Sequence, residues 1–345
     1  MKIAIFDAKK YDEEFFNREN KFGHEITYFT ENLSLDNIEK ASGFEAVCGF
    51  VNTPAEAEIL EGLAKVGVKT WLQRSMGYNR VDLKKAHELG INVFRVPNYS
   101  AESVSEHAVS LLMSANRRIK IAQSRVAKAD FSLNGLQGKA IFGSTVGVVG
   151  SGKIGQGFIK AMKGMGANVI VSDDFAQKNF PETATKLGFE WVTFDKMLAE
   201  SDFISLHAPL LDSTKHMIND ESIAKMKDGV IIINAARGPL VDTKALVAGL
   251  KSNKIAAVGL DVVEREEGKF FFDRSADLDK IKNSDPEWKY LLESDRVVMT
   301  AHQAFFTTIA LTQIAAITLE NANMAQKGDF SKALKLQADG KVLNG

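Results

Sequence analysis

Residues 145–174 read TVGVVGSGKIGQGFIKAMKGMGANVIVSDD, and this stretch decides the fold. It begins with an apolar run, 146–149, that has the length and β-branched character of a buried strand. Three glycines follow in G-x-G-x-x-G spacing, and a helical pattern and a second apolar run come after them. The stretch therefore predicts a strand, a tight turn, a helix and a second strand, as in a dinucleotide-binding unit.

The three glycines have separate physical roles in such a unit. Gly150 allows the tight turn, Gly152 lets the backbone approach a pyrophosphate, and Gly155 lets the helix pack against the strand. The free N–H groups at the helix N-terminus, near Lys153 and Ile154, would face the phosphates. Glycines also mark ordinary turns, but these lie between a predicted strand and a predicted helix, which favours a dinucleotide site.

Asp173 ends the second predicted strand, at the place where such units carry an acid that binds the ribose. The charge of this acid would repel the 2′-phosphate of NADP. Lys178 is the nearest following base, and no arginine comes within the next several residues. The expected cofactor is therefore NAD.

Length and composition bound the rest of the molecule. A chain of 345 residues is too long for one ordinary core, so two domains are expected. The net charge of −1 gives no reason to expect nucleic acid or an anionic membrane as a partner. The single cysteine, Cys48, suits a reducing compartment, and no apolar stretch is long enough for a membrane span. We expect a cytoplasmic protein and predict no metal site.

Residues 1–100 alternate between strand-like and helix-like segments, which indicates a parallel sheet covered by helices. This half has no glycine fingerprint, so no nucleotide of its own is expected. Its loops at 50–52, 74–79 and 97–100 follow strands, where ligands gather in open sheets, although each could be an ordinary turn. The predicted strands are 2–6, 46–51, 68–72 and 91–96, and the predicted helices lie near 12–18, 55–65 and 83–89.

Residues 101–127 carry apolar residues at helical spacing and are predicted to form one long helix that bridges two domains. His107 on this helix is interpreted as a structural histidine. The following residues, 128–144, are expected to form a connection with a small hydrophobic plug at 131–136.

Strands and helices alternate again from residue 145 onward. Residues 264–292 break this pattern and are expected to form an ordered insertion with a few buried aromatic residues. A helix over 307–327 closes the fold. The predicted strands are 146–150, 169–173, 203–207, 230–234, 256–261 and 297–300, and the predicted helices lie near 153–165, 194–200, 220–227 and 243–251.

Three ionisable residues follow strands of this half: Arg237, Glu266 and His302. They should face the same crevice as the cofactor. Arginine can hold the carboxylate of a 2-keto acid, and histidine can supply the proton that a new alkoxide needs. A carboxylate beside the histidine favours the imidazolium form. Each residue also has a simpler interpretation, as a surface arginine, a solvated glutamate or a capping histidine.

Many stretches, in order along nearly the whole chain, are similar to those of one family. Three of them are very specific: NAARG at 234–238, the D-x-x-x-x-E run at 261–266 and HQAFFT at 302–307. By these motifs the chain resembles the D-2-hydroxyacid dehydrogenases, and most closely the fermentative D-lactate dehydrogenases of bacteria. The other matching stretches are AVCGFVN at 46–52, GYNRVDL at 77–83, RVPNYSAESVSEHA at 95–108, NRRI at 116–119, FSLNGL at 131–136, GVVGSGKIG at 147–155 and SLHAPL at 205–210.

The resemblance implies catalytic roles for the same three residues. Arg237 looks like the substrate-binding arginine, and His302 looks like the proton donor. Glu266 looks like the partner of the histidine; Glu264 lies nearer the strand, but the family spacing selects Glu266.

The resemblance also implies binding roles for other residues. Met76 and Gly77 match positions whose backbone N–H groups hold the substrate carboxylate. The side chains that resemble the wall around a small substrate group are Phe50, Tyr99 and Phe305. The residues matched to the cofactor site are Gly150, Gly152, Lys153, Ile154, Gly155, Asp173, His207, Pro209 and Asp261, the last at the nicotinamide carboxamide.

The implied fold is α/β, with two Rossmann-like domains that contain parallel sheets. The substrate-binding domain would comprise 1–100 plus 301–345, and is completed by the C-terminal helix. The NAD-binding domain would comprise 101–300. The family places its active site in the cleft between the domains and forms dimers through the nucleotide-binding domains.

The expected reaction is NADH-dependent reduction of a 2-keto acid to the D-2-hydroxy acid, with pyruvate as the first substrate to consider. The loop at 73–80 departs from the usual family pattern, and so do Ser172 and Asp174 around the ribose-binding acid. The departure in the loop makes a bulkier substrate, such as phenylpyruvate or 2-ketoisocaproate, the alternative, whereas Ser172 and Asp174 bear on the strength of the preference for NAD over NADP. A more distant alternative is an NAD(H)-sensing binding protein of the corepressor type.

Overall fold

A computed structural model describes residues 1–328, 330 and 335–341. The chain divides into two compact units. The first comprises residues 1–100 and the chain from 306 onward, and the second comprises residues 101–305. Within the described residues, no helix is both long and apolar enough to cross a bilayer.

The first unit is built on a six-stranded sheet with the order β13-β5-β4-β3-β1-β2. Its strands are parallel except for β13, which pairs antiparallel with β5. The central strands are buried on both faces, as the apolar run AVCG of β3 requires. The strands are β1 (Lys2–Ile5), β2 (Glu25–Tyr28), β3 (Ala46–Gly49), β4 (Thr70–Gln73), β5 (Asn92–Arg95) and β13 (Lys335–Leu336).

Helices cover this sheet, and the last long helix of the chain completes the unit. That helix, α14 (Thr308–Lys327), packs against β4, β5 and the first helix, α1. Thr307 caps it by accepting a hydrogen bond from the Ala310 N–H group. The other helices of the unit are α1 (Lys10–Glu19), α2 (Ala57–Lys65) and α3 (Leu83–Glu88), and a 3₁₀ helix spans Leu35–Ala41.

The second unit contains a seven-stranded parallel sheet with the order β12-β11-β10-β9-β6-β7-β8. The chain winds outward from β6 to one edge and then from β9 to the other, so the strand order reverses between β6 and β9. Ligands of such sheets bind outside the carboxyl ends of the strands at this point. The strands are β6 (Thr145–Val149), β7 (Asn168–Ser172), β8 (Glu190–Trp191), β9 (Phe203–Leu206), β10 (Val230–Asn234), β11 (Ile255–Leu260) and β12 (Val297–Met299).

The helices of the second unit lie on both faces of its sheet. The first of them packs on β10 and β11 and against the helix that follows the glycine loop. The helices are α4 (Ala101–Asn116), α5 (Ile119–Val126), α6 (Lys153–Gly164), α7 (Asp174–Asn179), α8 (Thr183–Leu187), α9 (Phe194–Glu200), α10 (Asp220–Lys225), α11 (Thr243–Lys251), α12 (Leu278–Ser284) and α13 (Pro286–Glu293); 3₁₀ turns span Gly238–Leu240 and Ser275–Asp277.

The predicted fold class, α/β with two parallel-sheet Rossmann-like units, is confirmed. The single helix predicted over 101–127 is wrong, because Arg118 has a left-handed φ of 53° and separates α4 from α5. Its guanidinium donates to the carbonyl of Ala256 at 3.1 Å, which holds this break against the sheet. The expected ordered insertion is present as α12 and α13, with Phe270 and Trp288 buried edge to face at a ring distance of 5.6 Å.

The domain bounds implied by the resemblance place residues 301–305 in the first domain, whereas the structure groups them with the second unit. Hydrogen bonds explain the difference. The N–H groups of Gln303 and Ala304 donate to the carboxylate of Asp261, both at 2.9 Å, and the N–H group of His302 donates to its backbone carbonyl at 2.7 Å. The loop after β12 is therefore anchored to the strand beside it.

Candidate active site

The glycine loop of the second unit has the geometry of a phosphate cradle. Gly150 adopts a φ of 87°, and a Cβ there would lie 2.8 Å from the backbone of His207 and Ala208. A Cβ on Gly155 would lie 2.2 Å from the carbonyl oxygen of Gly150, so the helix and the turn are in close contact. A Cβ on Gly152 would meet no atom within 4 Å, which leaves open space beside the backbone where a ligand can approach.

The first turn of α6 keeps donors available for that ligand. Gly152 is its N-cap, and no side chain caps the helix. The N–H groups of Lys153 and Ile154 donate no hydrogen bond to any group in the described part of the chain. A helix N-terminus in this state binds a pyrophosphate well, because the free N–H groups and the helix dipole both favour an anion.

Asp173 follows β7 and joins the glycine loop to the helix after it. Its Oδ2 atom accepts hydrogen bonds from the N–H group and the hydroxyl of Ser151, at 2.7 and 2.9 Å. Its Oδ1 atom accepts one from the N–H group of Ala176 at 2.9 Å, which caps α7. Each carboxylate oxygen has two acceptor sites, so the acid can still bind a ribose hydroxyl while it holds the loop.

The loop after β9 carries His207 and Pro209 beside the glycine turn. The His207 Nε2 atom lies 2.9 Å from the hydroxyl of Ser205, and its ring lies 5.1 Å from the ring of Phe158. Burial lowers the pKa of His207 to about 4, so the imidazole is neutral near pH 7. Pro209 is exposed. The Nδ1 atom of His207 is buried and has no hydrogen-bond partner among the described residues. An unsatisfied polar atom of this kind fits a position beside a bound cofactor.

Arg237 lies in a tight turn after β10. Asn234 forms this turn with both ends of its amide: Oδ1 accepts from the N–H group of Ala236 at 3.0 Å, and Nδ2 donates to the carbonyl of Arg237 at 2.8 Å. The guanidinium donates only to the neighbouring carbonyl of Ala236 in the described part of the chain, at 2.7 Å. Most of its five N–H donors therefore remain available for an anion.

His302 and Glu266 form a close pair. The Nδ1 atom of His302 lies 2.7 Å from Oε1 of Glu266, and the other carboxylate oxygen accepts from the N–H group of Val263 at 2.8 Å. A carboxylate can only accept, so Nδ1 carries the hydrogen and Nε2 is left for another partner. His302 has a φ of 54°, a conformation that is strained for a histidine and that recurs at functional sites.

Glu264 takes part in a separate cluster. Its carboxylate lies 2.5 Å from Nε2 of His216 and accepts hydrogen bonds from the N–H group and the hydroxyl of Thr243, at 3.0 and 2.8 Å. Burial alone would raise the pKa of Glu264, but the bonds from Thr243 and His216 lower it. The structure thus brings Glu266 to His302 and leaves Glu264 at the N-terminus of α11.

Asp261 is buried at the end of β11 and organises the loop that carries His302. Its Oδ1 atom accepts from the hydroxyl of Thr300 at 2.5 Å, and the Nε2 atom of His107 lies 3.0 Å from that hydroxyl. Burial alone would raise the pKa of Asp261, but hydrogen bonds from His107, Thr300 and the N–H groups of Ala304 and Gln303 lower it. Asp261 is therefore an anion that positions backbone, and its contact with the nicotinamide stays a prediction.

Arg237, Glu266 and His302 follow three adjacent strands, β10, β11 and β12. A Cβ on Gly238 would lie 2.4 Å from the backbone of Val263, so the arginine turn packs directly on the loop that leads to Glu266. The arrangement presents a cation for an anionic substrate and an acid–base group at one edge of the sheet. This edge is also the one that carries the glycine loop.

The first unit carries other predicted substrate residues after its own strands. The N–H groups of Met76 and Gly77 donate no hydrogen bond within the described residues, as a pair that binds a carboxylate requires. The preceding Arg74 is buried and donates to the carbonyls of Phe6 and Asp7, at 3.1 and 2.9 Å. The ring of Phe50 lies 5.3 Å from the Arg74 guanidinium.

The remaining two members of the predicted wall differ in burial. Tyr99 is half-buried in the first unit, and Phe305 is buried in the second.

Several residues that hold these groups in place were not predicted from the sequence. Asn234 shapes the arginine turn, Ser151 binds Asp173, and Thr300 links Asp261 to His107. Asn234 had a usable signal, since an asparagine directly after a strand often forms a turn with its own side chain. The bond between Thr300 and Asp261 had none, because 38 residues separate them in the sequence.

Known proteins are similar to this chain in sequence and in fold. The sequence model described as "D-isomer specific 2-hydroxyacid dehydrogenase, NAD binding domain" matches residues 109–304. The chain is 43% identical to the "2-hydroxyacid dehydrogenase homolog" of Haemophilus influenzae, over 97% of this chain and 99% of that protein. It is 41% identical to the D-lactate dehydrogenase of Escherichia coli, over 95% of this chain and 98% of that protein.

A solved structure agrees with these sequence matches. The pyruvate reductase of Chlamydomonas reinhardtii superposes with a TM-score of 0.89 at 38% identity, over 95% of this chain and 97% of that one. The matched family includes an NAD-binding domain, and the glycine loop and Asp173 of this chain fit NAD. The chain belongs to the D-isomer specific 2-hydroxyacid dehydrogenases.

Proposed function

We propose that this NAD-dependent D-2-hydroxyacid dehydrogenase reduces pyruvate to D-lactate and also catalyses the reverse reaction. The observation that carries the proposal is the pair formed by His302 Nδ1 and Glu266 Oε1, 2.7 Å apart, on the strand edge that also carries Arg237. Relatives named D-lactate dehydrogenase and pyruvate reductase support the choice of substrate.

Arg237 would bind the substrate carboxylate and orient the carbonyl, because its guanidinium donors are mostly unengaged and match a carboxylate in geometry. The N–H groups of Met76 and Gly77 would hold the same carboxylate. Phe50, Tyr99 and Phe305 would surround the methyl group and keep water from it.

His302 would supply the proton. Glu266 holds Nδ1–H, so the proton leaves from Nε2 and passes to the carbonyl oxygen as the alcohol forms. Bound NADH supplies the hydride that reduces the carbonyl carbon. In the reverse direction, neutral Nε2 would accept the hydroxyl proton of lactate.

The cofactor would lie along the carboxyl edge of the second sheet. The first turn of α6, from Gly152 to Gly155, would hold the pyrophosphate, and Asp173 would bind the adenosine ribose. His207 and Pro209 would line the cofactor, and Asp261 would lie near the nicotinamide carboxamide.

The alternative is a bulkier 2-keto acid, which the unusual sequence at 73–80 permits. Tyr78 in this loop lies 5.2 Å from the Arg95 guanidinium, which also donates to the Met76 carbonyl at 3.0 Å. These contacts hold the substrate loop in place.

The test is NADH oxidation by the purified protein with pyruvate, phenylpyruvate and 2-ketoisocaproate, followed by chiral analysis of the product. We expect the highest kcat/KM with pyruvate and a product that is D-lactate. A higher kcat/KM with either larger keto acid would replace pyruvate as the substrate, and an L product would contradict the proposed D specificity of the reaction.

We also propose that the protein is a cytoplasmic homo-oligomer formed through the second unit. Large apolar side chains are exposed in the segment 128–144, with Phe131 at 73%, Leu133 at 81% and Phe142 at 81% of their full surface. Exposed apolar groups concentrated in one segment favour association with another copy. Buried, unpaired Cys48 is consistent with a reducing compartment.

A further inference from the structure

A cavity of about 290 Å³ lies in the insertion that follows Glu266, and we call it the insertion pocket. It is open to solvent and is bordered by α12, α13, the segment before them and the edge strand β12. This volume is at the lower end of the range of about 300–1,000 Å³ that is typical of ligand pockets, so a small molecule fits it. The pocket is lined entirely by residues of the second unit.

The body of the insertion pocket is apolar. Its walls are formed by aromatic and aliphatic side chains from both helices, from the segment before them and from the edge strand. These are Phe270, Leu278, Ile281, Trp288, Leu292 and Met299. A ligand that fills this space therefore needs an apolar body of branched-alkyl or phenyl size.

Four polar side chains line the insertion pocket, and the two charged ones are cations. Lys269 and Arg274 contribute two cations, and Ser275 and Thr300 contribute hydroxyls. No acidic residue is present among the described residues that line it. Arg274 pairs with Asp277 at 3.2 Å and donates to the carbonyl of Gly268 at 3.0 Å. The Lys269 ammonium donates to the carbonyl of Arg265 and lies 4.7 Å from the centre of the Trp288 ring, at the apolar wall. This charge distribution complements one anionic group joined to an apolar body.

Residues that line the insertion pocket lie in the same chain segments as Glu266 and His302. The N–H groups of Lys269 and Phe270 both donate to the carbonyl of Glu266, at 3.0 and 3.1 Å. Thr300 and Ala301, which also line the pocket, directly precede His302. A bound ligand would therefore contact both the turn that holds Glu266 and the loop that holds His302.

We propose that the insertion pocket binds a small amphipathic monocarboxylate and that its occupancy changes the rate of keto-acid reduction. The carboxylate would pair with Lys269 and Arg274, and the apolar body would lie against Trp288 and Leu278. The effect on the rate rests on the proposed roles of Glu266 and His302, whereas binding does not.

The binding test uses 3-phenylpropanoate, which has neither a keto nor a hydroxyl group and so cannot be turned over. Calorimetry with the full-length protein should show binding, and the uncharged 3-phenylpropanol should bind about tenfold more weakly, because it cannot form the charged contacts. Equal affinity for the acid and the alcohol, or no binding of the acid, would overturn the proposal.

Variants locate the site. Leu278→Glu places an anion at a position that is 43% exposed, and it should weaken binding of the acid by about tenfold or more. Lys269→Met should weaken binding of the acid but leave that of the alcohol unchanged. This second variant keeps the test decisive if the first one misfolds. The matched control is Phe180→Glu, at a position 52% exposed on the same unit and outside the pocket, which should bind as the wild type does.

A competing location is the catalytic site, where Arg237 could hold the probe carboxylate. Arg237→Ala should therefore retain binding. Loss of binding in this variant, together with retention in Leu278→Glu, would place the probe at the catalytic site and refute the insertion pocket. A loss in Phe180→Glu equal to that in Leu278→Glu would refute it as well.

Rate measurements test the second half of the proposal. Saturating 3-phenylpropanoate should change kcat for keto-acid reduction in the wild type and in Phe180→Glu, but not in Leu278→Glu. Binding at the insertion pocket with an unchanged kcat would refute the effect on the rate and leave the binding site standing. If no keto acid is reduced at all, the proposed function fails, and calorimetry still decides on the site.

Discussion

Glu266 contributes both a charge and an orientation to His302. Replacement by glutamine keeps a hydrogen-bond acceptor near Nδ1 but removes the charge that stabilises the imidazolium. We expect Glu266→Gln to lower kcat for keto-acid reduction by roughly 10²-fold or more, since a positioned acid–base group contributes about 10²–10⁴-fold. Steady-state kinetics with saturating NADH measure the effect.

Glu264→Gln is the matched control for this change, because Glu264 contacts His216 and Thr243 instead of His302. It should keep most of the activity and lower thermal stability, since it weakens bonds at the start of α11. A larger loss of kcat in Glu264→Gln than in Glu266→Gln would reverse the assignment of the two acids.

Asp173 both caps α7 and holds Ser151 of the glycine loop. Asp173→Ala should raise KM for NADH by about 10-fold or more, as expected for the loss of hydrogen bonds to a charged group. It should also reduce the preference for NADH over NADPH, because the charge that repels a 2′-phosphate is gone. Initial rates with both cofactors measure the ratio.

Asp174→Ala is the control, since it removes the neighbouring charge but leaves the bonds of Asp173 in place. An unchanged cofactor ratio in Asp173→Ala, or an equal change in Asp174→Ala, would count against Asp173 as the ribose ligand.

Particular residues show why a sequence pattern can predict only part of such a site. The glycine spacing predicted the phosphate-binding turn and Asp173, because the residues that this unit requires all lie within one short stretch of sequence. The separation of Glu264 from Glu266 depends on Arg265 between them, which adopts a φ of 62°. Such a conformation is uncommon for a residue other than glycine, so the composition of this segment did not reveal it.

At the scale of elements, the loop after β12 depends on one buried carboxylate. Asp261→Asn leaves one acceptor oxygen for the N–H groups of Gln303 and Ala304 and the hydroxyl of Thr300. We expect this variant to lose kcat and to exchange the amide hydrogens of the loop faster. Hydrogen exchange followed by mass spectrometry measures the second effect, and Asp295→Asn, at an exposed position, is the control.

The same carboxylate gives the loop a dependence on pH. Hydrogen bonds lower the pKa of Asp261 in the folded protein, so its contribution to stability is present above the pKa of the unfolded chain. This contribution is lost as the pH falls through the lowered, folded-state pKa. Protection of the loop in wild type should therefore decline in acid, and protection in Asp261→Asn should not depend on this titration. Equal acid sensitivity in both proteins would contradict the role of Asp261.

Other elements differ in how well local sequence predicts them. The long strands and amphipathic helices were predicted because their hydrophobic periodicity is strong. The edge strands β2, β8 and β13 were missed, since β2 is largely exposed and the other two have only two residues each. The break between α4 and α5 was missed because the apolar spacing continues through Arg118, which is held by a bond to distant Ala256.

At the scale of the whole molecule, segment 128–144 carries three of the most exposed large apolar side chains of the described residues, Phe131, Leu133 and Phe142. They cannot be explained by the core of the second unit, because Phe131 and Leu133 are 73% and 81% exposed. Burial of such side chains against another copy gains about 1.5–3 kcal/mol for each one. In a dimer with a two-fold axis, the same segment of both copies lies in the interface, so each of these side chains is buried in both copies.

We therefore expect the double variant Phe131→Asp/Leu133→Asp to dissociate into monomers at concentrations where the wild type is an oligomer. Analytical ultracentrifugation over a range of concentrations measures the change in mass. Phe180→Asp, which alters one exposed apolar group elsewhere on the same unit, should sediment as the wild type does. A monomeric wild type, or an equal shift in Phe180→Asp, would show that segment 128–144 is not the interface. Retained activity in a dissociated double variant would further show that each chain carries a complete active site.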